Sequence, residues 1–165
     1  MKESKIVKIF EDVQKIPYEV CKYEEENIDE SINCGDCRHK AELLMKLLKK
    51  EGFEVKKQDV LFDWADLPLP GETIGILKES DTIWKHVALK VKIGDKWIRV
   101  DPTWPQSLKK KGFPITENWD GKSDTKLVTD GKVEFFEKGE CEVKPKLNKE
   151  EIHKFATALN QFVSA

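Results

Sequence analysis

Several features that would put this chain in a specialised class are missing from its sequence. No run of apolar residues approaches the length of a membrane-spanning helix, and the first residues lack the apolar stretch of a secretory signal. The net charge is only −2 and no tail carries charge of one sign, so neither nucleic acid nor a membrane is expected as a partner. Four cysteines in 165 residues are too few for a disulfide-rich scaffold, and they predict free thiols in a reducing cytoplasm.

The composition that is present is typical of a folded globule. A length of 165 residues suits one domain, and 39% hydrophobic residues with five tryptophans can fill its core. Helical spacing of apolar residues predicts four helices, over residues 4–16, 20–30, 36–50 and from 148 or 149 onward. Strands are predicted over residues 55–62, 84–93, 96–101 and 132–136, with a long loop over 63–80. This order of elements predicts an α+β fold with an antiparallel sheet.

Cys37 is expected at the N-terminal end of the helix over residues 36–50. Asp36 has the side chain of an N-cap, and Gly52 suits the C-cap. One face of this helix is apolar, and its members at helical spacing are Cys37, Ala41, Leu44, Met45 and Leu48. The unpaired backbone N–H groups of a first helical turn favour negative charge, so they would stabilise a thiolate or an oxyanion there. The alternative is a buried structural cysteine, a common environment for this residue.

A β-hairpin is predicted around the Gly94-Asp95 pair, which lies between two alternating strands with glycine first, as a type II′ turn prefers. Pairing the residues on either side of this turn makes Asp101 the diagonal neighbour of His86 on one sheet face, at roughly 7–8 Å between Cα atoms. Side chains of this length can bridge that gap with a hydrogen bond. Taken alone, His86 is typical of a surface imidazole and Asp101 of a strand end.

The two faces of this hairpin differ in character. The face opposite His86 is apolar, with residues Val87, Leu89, Val91, Ile93, Ile98 and Val100. The face that holds His86 is mixed, and on it Ala88 is small enough to let a helix end approach. The N-terminus of the Cys37 helix is therefore expected to dock on the Ala88 face.

A thiol, an imidazole and a carboxylate together can carry out nucleophilic catalysis. The thiol needs a base to become a strong nucleophile, and the base needs a carboxylate to fix its tautomer. Cys37, His86 and Asp101 are the candidates for these three roles.

Three blocks of sequence carry a family resemblance. Residues 35–44 (Gly-Asp-Cys-Arg-His-Lys-Ala-Glu-Leu-Leu) resemble the cysteine helix of the transglutaminase-like superfamily. Residues 86–88 (His-Val-Ala) resemble its histidine strand, and residues 97–103 (Trp-Ile-Arg-Val-Asp-Pro-Thr) its aspartate-proline-threonine strand. The resemblance covers roughly residues 35–104 of a single domain spanning 1–165.

The resemblance implies a papain-like α+β core in which an N-terminally capped catalytic helix packs on an antiparallel β-sheet. It implies that Cys37 is the nucleophile, His86 the general base and acid, and Asp101 the orienting carboxylate. The substrate would be a peptide or protein amide, cleaved through a thioester that water or an amine releases. Hydrolysis is preferred to cross-linking, because water is always available. No cofactor and no metal are expected.

Other functions compete with this interpretation. Cys34 and Cys37 form a Cys-x-x-Cys motif at a helix start, as in thioredoxin-like redox proteins, although a helical, acidic stretch precedes it where a strand should lie. A zinc site of Cys34, Cys37 and His39, with Cys141 or Cys21, would lack a second ligand pair of similar spacing. His39 is expected instead to face solvent. A third possibility is a binding module that has the fold but no turnover.

The tryptophans could line a substrate groove or belong to the core and its edge. Those considered for a groove are Trp64, Trp84, Trp104 and Trp119. Among them, Trp84 and Trp104 are the candidates for substrate binding.

Overall fold

The computed structural model describes residues 2–20 and 28–165 and has an α+β architecture, as the order of elements predicts. The helices are α1 (Lys2–Gln14), α2 (Cys37–Lys50), the single turn α3 (Gly71–Ile74) and α4 (Lys149–Ser164). The strands are β1 (Val55–Asp63), β2 (Ile83–Ile93), β3 (Lys96–Val100) and β4 (Glu134–Glu137). Short 3₁₀ helices cover Trp64–Asp66 and Gln106–Lys111. Among these described helices, none is both long enough and apolar enough to span a membrane.

The four strands form one antiparallel sheet in the order β3-β2-β1-β4. Ile93 pairs with Lys96 across the β2–β3 turn, so the predicted hairpin register is confirmed. Gly94 has φ +63°, the sign that the first position of a type II′ turn requires. Because β2 begins where β3 ends, His86 and Asp101 lie at the same end of the sheet.

Buried side chains form two clusters, one with α1 and α2 and the other with α4. Leu44 and Leu48 of α2 are in the first cluster, with the apolar strand residues Val87, Leu89, Val91, Ile98 and Val100. Ala88 lies in the second cluster, with Phe155 and Leu159 of α4. The body of α2 therefore packs on the face opposite Ala88, while its first residue, Cys37, lines a pocket with His86, which lies on the Ala88 face. The apolar stripe of α2 needs an apolar partner surface, and the strand residues of the first cluster provide it.

The other predicted elements differ from the observed ones mainly at their ends. The helix predicted over 20–30 falls largely on residues 21–27, which lie outside the described residues. The predicted loop over 63–80 contains two short helical turns. The strand predicted over 132–136 is β4, which pairs with β1 at the sheet edge.

Candidate active site

Cys37 is the first residue of α2, and the segment before it fixes where the helix begins. The Asp36 carboxylate accepts a hydrogen bond from the backbone N–H of Arg38 at 3.0 Å. In return, Nδ1 of His39 accepts from the backbone N–H of Asp36 at 3.1 Å, which completes a capping box. A Cβ on residue 35 would lie 2.8 Å from the Cβ of His39, so the close approach of Gly35 to His39 requires glycine at this position. Together these contacts fix Cys37 as the first residue of α2.

The expectation that His39 faces solvent is wrong, because its side chain is fully buried. Nδ1 is committed to the backbone of Asp36, so this imidazole serves the helix cap. A zinc site that included His39 would have to break that bond. Within the described part of the chain, no group of three or more His, Cys, Asp or Glu side chains is arranged to hold a metal ion.

His86 and Asp101 form a buried hydrogen-bonded pair, with 2.6 Å between Nε2 of the imidazole and Oδ2 of the carboxylate. The other carboxylate oxygen of Asp101 accepts hydrogen bonds from the backbone N–H and the hydroxyl of Thr103. The backbone N–H of Asp101 in turn donates to the hydroxyl of Thr125 at 2.8 Å. The carboxylate is thus held from several sides, and this fixes the orientation of the His86 ring.

Cys37 and His86 line one pocket, and Cys37 is one of the groups that raise the pKa of the imidazole, so thiol, imidazole and carboxylate belong to one site. Because Nε2 is bonded to Asp101, Nδ1 is the nitrogen left for the sulfur. Burial disfavours the charged imidazole, but the charges of Asp101 and Cys37 and their hydrogen bonds outweigh burial and raise the pKa of His86 to about 10. Burial likewise opposes ionisation of Asp101, yet His86 and Thr103 hold the pKa of its carboxyl below the usual value. The neighbours of His86 therefore favour the protonated form of its imidazole.

Cys37 and His86 line a pocket of about 330 Å³. Its walls are mainly apolar, and the aromatic members are Tyr18, Phe62, Trp64, Trp84 and Trp104. The two tryptophans predicted as candidates for substrate binding thus border the pocket, as does Trp64. Trp119 does not, since it packs against Phe10 in the α1–α2 cluster, with 4.8 Å between ring centroids.

Two aromatic pocket residues were not identified from the sequence. Tyr18 is brought to the pocket by a parallel bridge to Gly35 and packs on Trp104 at 4.7 Å between ring centroids. Phe62 lies opposite Trp84 in the β1–β2 pairing and sits 5.7 Å from the His86 ring. The pairing partner of β1 is a non-local property, so no local pattern could have identified Phe62.

Lys40 is a further residue that the sequence analysis did not single out. Its side chain is fully buried in α2, and Nζ donates to the carbonyl oxygens of Gln14, Ile16 and Thr103 at 2.7–3.0 Å. Burial lowers its pKa to about 7, and the Asp101 carboxylate offsets part of this effect. The available signal was its position three residues after Cys37, on the face of the helix that is buried.

The backbone between Cys34 and Cys37 is extended rather than helical. Gly35 is held in the bridge to Tyr18, and Asp36 has φ −93° and ψ −169°. Four residues in extended conformation place their end Cα atoms up to about 10 Å apart. A disulfide needs Cα atoms within roughly 4.4–6.8 Å, so pairing of these free thiols would require the helix start to rearrange.

Comparison of the chain with protein-family models, with curated proteins and with solved structures finds no match in any of the three.

Proposed function

We propose that this protein is a thiol-dependent acyl-transfer enzyme that acts on amide bonds, with a papain-like core of the transglutaminase-like type. Cys37 is the nucleophile, His86 the general base and acid, and Asp101 the carboxylate that orients His86. The observation that carries the proposal is the buried hydrogen bond between His86 and Asp101, in a pocket that Cys37 lines together with His86. Three residues separated by 49 and 15 positions in sequence converge there, beside a pocket that can admit a substrate.

The charge state of the site suits this chemistry. A raised pKa keeps a proton on His86, and positive charge beside Cys37 assists the attack of its sulfur on a carbonyl. The backbone N–H groups at the start of α2 carry partial positive charge, which stabilises negative charge that develops near Cys37. Asp101 keeps Nε2 occupied, so the proton that His86 exchanges during the reaction is the one on Nδ1.

The reaction proceeds in two halves. The Cys37 thiolate attacks the amide carbonyl carbon, forming a C–S bond and moving the carbonyl π electrons onto oxygen. Collapse of this oxyanion breaks the C–N bond, and the leaving amine takes the proton from His86. Water then attacks the thioester while His86 accepts a proton from it, and collapse breaks the C–S bond to give a carboxylic acid and the thiolate. An amine in place of water would give transamidation.

A reducing compartment is part of this proposal, because the nucleophile must stay a free thiol. The substrate is a peptide or protein amide, or a smaller amide of the same chemistry. A dithiol redox function is disfavoured by the extended backbone between Cys34 and Cys37.

Iodoacetamide labelling tests the nucleophile directly. At pH 6 a free cysteine with pKa about 8.5 is only ~0.3% thiolate. We expect Cys37 to react at least about tenfold faster than N-acetylcysteine at this pH, with the labelled peptide located by mass spectrometry. His86→Ala should bring the rate down to that of the free thiol. The matched control is His153→Ala, because His153 is an exposed histidine on α4, and it should leave the rate unchanged.

Turnover separates an enzyme from a binding module of the same fold. With p-nitrophenyl acetate we expect continued release of p-nitrophenolate beyond one equivalent, and Cys37→Ser should abolish it. Release that stops at one equivalent would indicate a reactive thiol without deacylation. Labelling of Cys37 that is slow at pH 6 and unaffected by His86→Ala would refute the proposed catalytic pair.

A further inference from the structure

We propose that the pocket beside Cys37 selects substrates whose acyl group carries an aromatic or bulky apolar side chain. This inference rests on the proposed function and names the substrate class for the same site. It starts from the pocket's lining, which combines five aromatic residues with Val20 and Val128. Burying apolar surface against such walls is the dominant attraction available to a ligand there.

The charged residues around the pocket already have protein partners. Asp59 is buried, and its carboxylate pairs with Nζ of Lys138 at 3.2 Å and with the backbone N–H of Gly139 at 3.1 Å. Arg38 pairs with the capping carboxylate of Asp36 at 2.7 Å. A charged substrate side chain would have to compete with these pairs, whereas an apolar one would leave them intact.

Apart from His86 of the proposed catalytic pair, Lys85 is the remaining charged residue of the lining. It is exposed, and its Nζ donates to the backbone carbonyl of Cys141 at 3.1 Å. Its ammonium is therefore bonded at the surface, where water screens it, rather than directed at the apolar walls.

The aromatic walls are held in place by their own packing. Trp84 packs edge-on against Trp64 and Phe155, each at 5.5 Å between ring centroids, and its indole N–H donates to the carbonyl of Asp81 at 2.7 Å. Trp104 packs on Tyr18, and its indole N–H donates to the carbonyl of Val128 at 2.8 Å. Both indole N–H groups thus have partners, so these rings are fixed and offer apolar surface to a ligand.

The acyl side of the substrate is the part that needs a pocket. It stays bound to the sulfur through both halves of the reaction, while the amine leaves after the first. A volume of about 330 Å³ is at the lower end of the range for small-molecule sites, so it fits one large side chain with its adjoining backbone. Trp84 lies two residues before His86 on the same strand, so a ring beside it is also close to the reacting thiol.

Acylation by a series of p-nitrophenyl esters with one leaving group tests this selectivity. The acyl groups are acetyl, 3-phenylpropanoyl and glutaryl, the last with a free carboxylate of similar reach. For each ester, the rate of Cys37 acylation is divided by the rate at which N-acetylcysteine reacts with the same ester. This ratio corrects for the intrinsic reactivity of the ester. Burying a phenyl-sized group is worth about ten- to a hundredfold. We expect the phenylpropanoyl ester to exceed both others by at least about tenfold.

Two tryptophan variants add a matched comparison. Trp84→Ala removes a pocket wall and should lower the phenylpropanoyl preference at least about fivefold. Trp97→Ala removes a half-buried tryptophan of the same sheet that stacks with Lys56 and does not line this pocket, so it should leave the preference unchanged. Because the ester series is measured on the wild-type protein, the inference is tested even if a variant does not fold.

The outcomes separate the two proposals. Equal normalised rates, or a glutaryl ester that is fastest, would overturn the apolar selectivity. If iodoacetamide labelling still depends on His86 in that case, the proposed function stands. Labelling that does not depend on His86 would overturn the proposed function and this inference together.

Discussion

Replacing Lys40 by methionine should be among the most damaging single changes in α2. The buried ammonium ties the helix to the carbonyls of Gln14 and Ile16 after α1, and to that of Thr103, two residues beyond Asp101. Methionine has a similar length and fills most of the same space, but it has no donor. Three buried carbonyl groups would lose a hydrogen bond, and the helix that carries Cys37 would lose its link to the strand end that carries the acid.

The magnitude follows from these contacts. Each buried carbonyl left without its donor costs about 1–3 kcal/mol, which gives a gross loss of roughly 3–9 kcal/mol. The variant no longer has to bury an ammonium charge, which offsets part of this loss. Removing one partner from a buried charged cluster typically has a net cost of about 3–5 kcal/mol, and this is the fall expected in the free energy of unfolding.

Urea unfolding at pH 6, below the lowered pKa of Lys40 and followed by far-UV circular dichroism, measures this change. Lys49→Met is the matched control, because Lys49 is exposed on the last turn of the same helix, and it should change stability by less than about 0.5 kcal/mol. Iodoacetamide labelling of the folded Lys40→Met protein should also slow, since Cys37 would be held less closely against His86. A loss below about 1 kcal/mol for Lys40→Met would refute the argument that these carbonyls depend on the lysine.

Three further predictions concern the cap, the imidazole and α4. Gly35→Ala should cost about 1–3 kcal/mol in urea unfolding, because the added Cβ would lie 2.8 Å from the Cβ of His39; an unchanged midpoint would contradict this. Because the pKa of His86 is raised, its stabilising contribution is complete below pH about 6.5 and is lost as the pH rises through about 10. In urea titrations, the difference in stability between wild type and His86→Gln should therefore shrink between these two pH values. A difference that does not depend on pH would contradict this prediction. Phe155→Ala should cost about 3–5 kcal/mol, because this buried ring packs on Trp64 at 5.2 Å, and a change below 1 kcal/mol by the same assay would count against that packing.

Local patterns predicted the two elements that carry the site residues. The helix begins after Asp36 because that side chain caps it, and it ends before Gly52, which has φ +92°. The hairpin register follows from a two-residue turn, and a fixed register determines which side chains become neighbours. For this reason the sequence alone was enough to predict the hydrogen bond between His86 and Asp101.

Other parts of the site could not be predicted in this way. His39 was expected to be a solvent-facing helix residue, yet its side chain is buried and takes part in the capping box. The expectation about Ala88 concerned only the N-terminus of α2 and did not say which sheet face the body of the helix covers. That face follows from burial of the apolar stripe of α2 against the strand residues of the first cluster.

The sequence by itself determined the α+β class, the start of α2 and the pairing of β2 with β3, because caps, turns and side-chain periodicity act over a few residues. Only the tertiary structure decided that Cys37 meets His86, that Lys40 is clamped by three carbonyls and that Tyr18 and Phe62 complete an apolar pocket. Those contacts join segments far apart in the chain, and they depend on how whole surfaces pack against one another rather than on any local pattern.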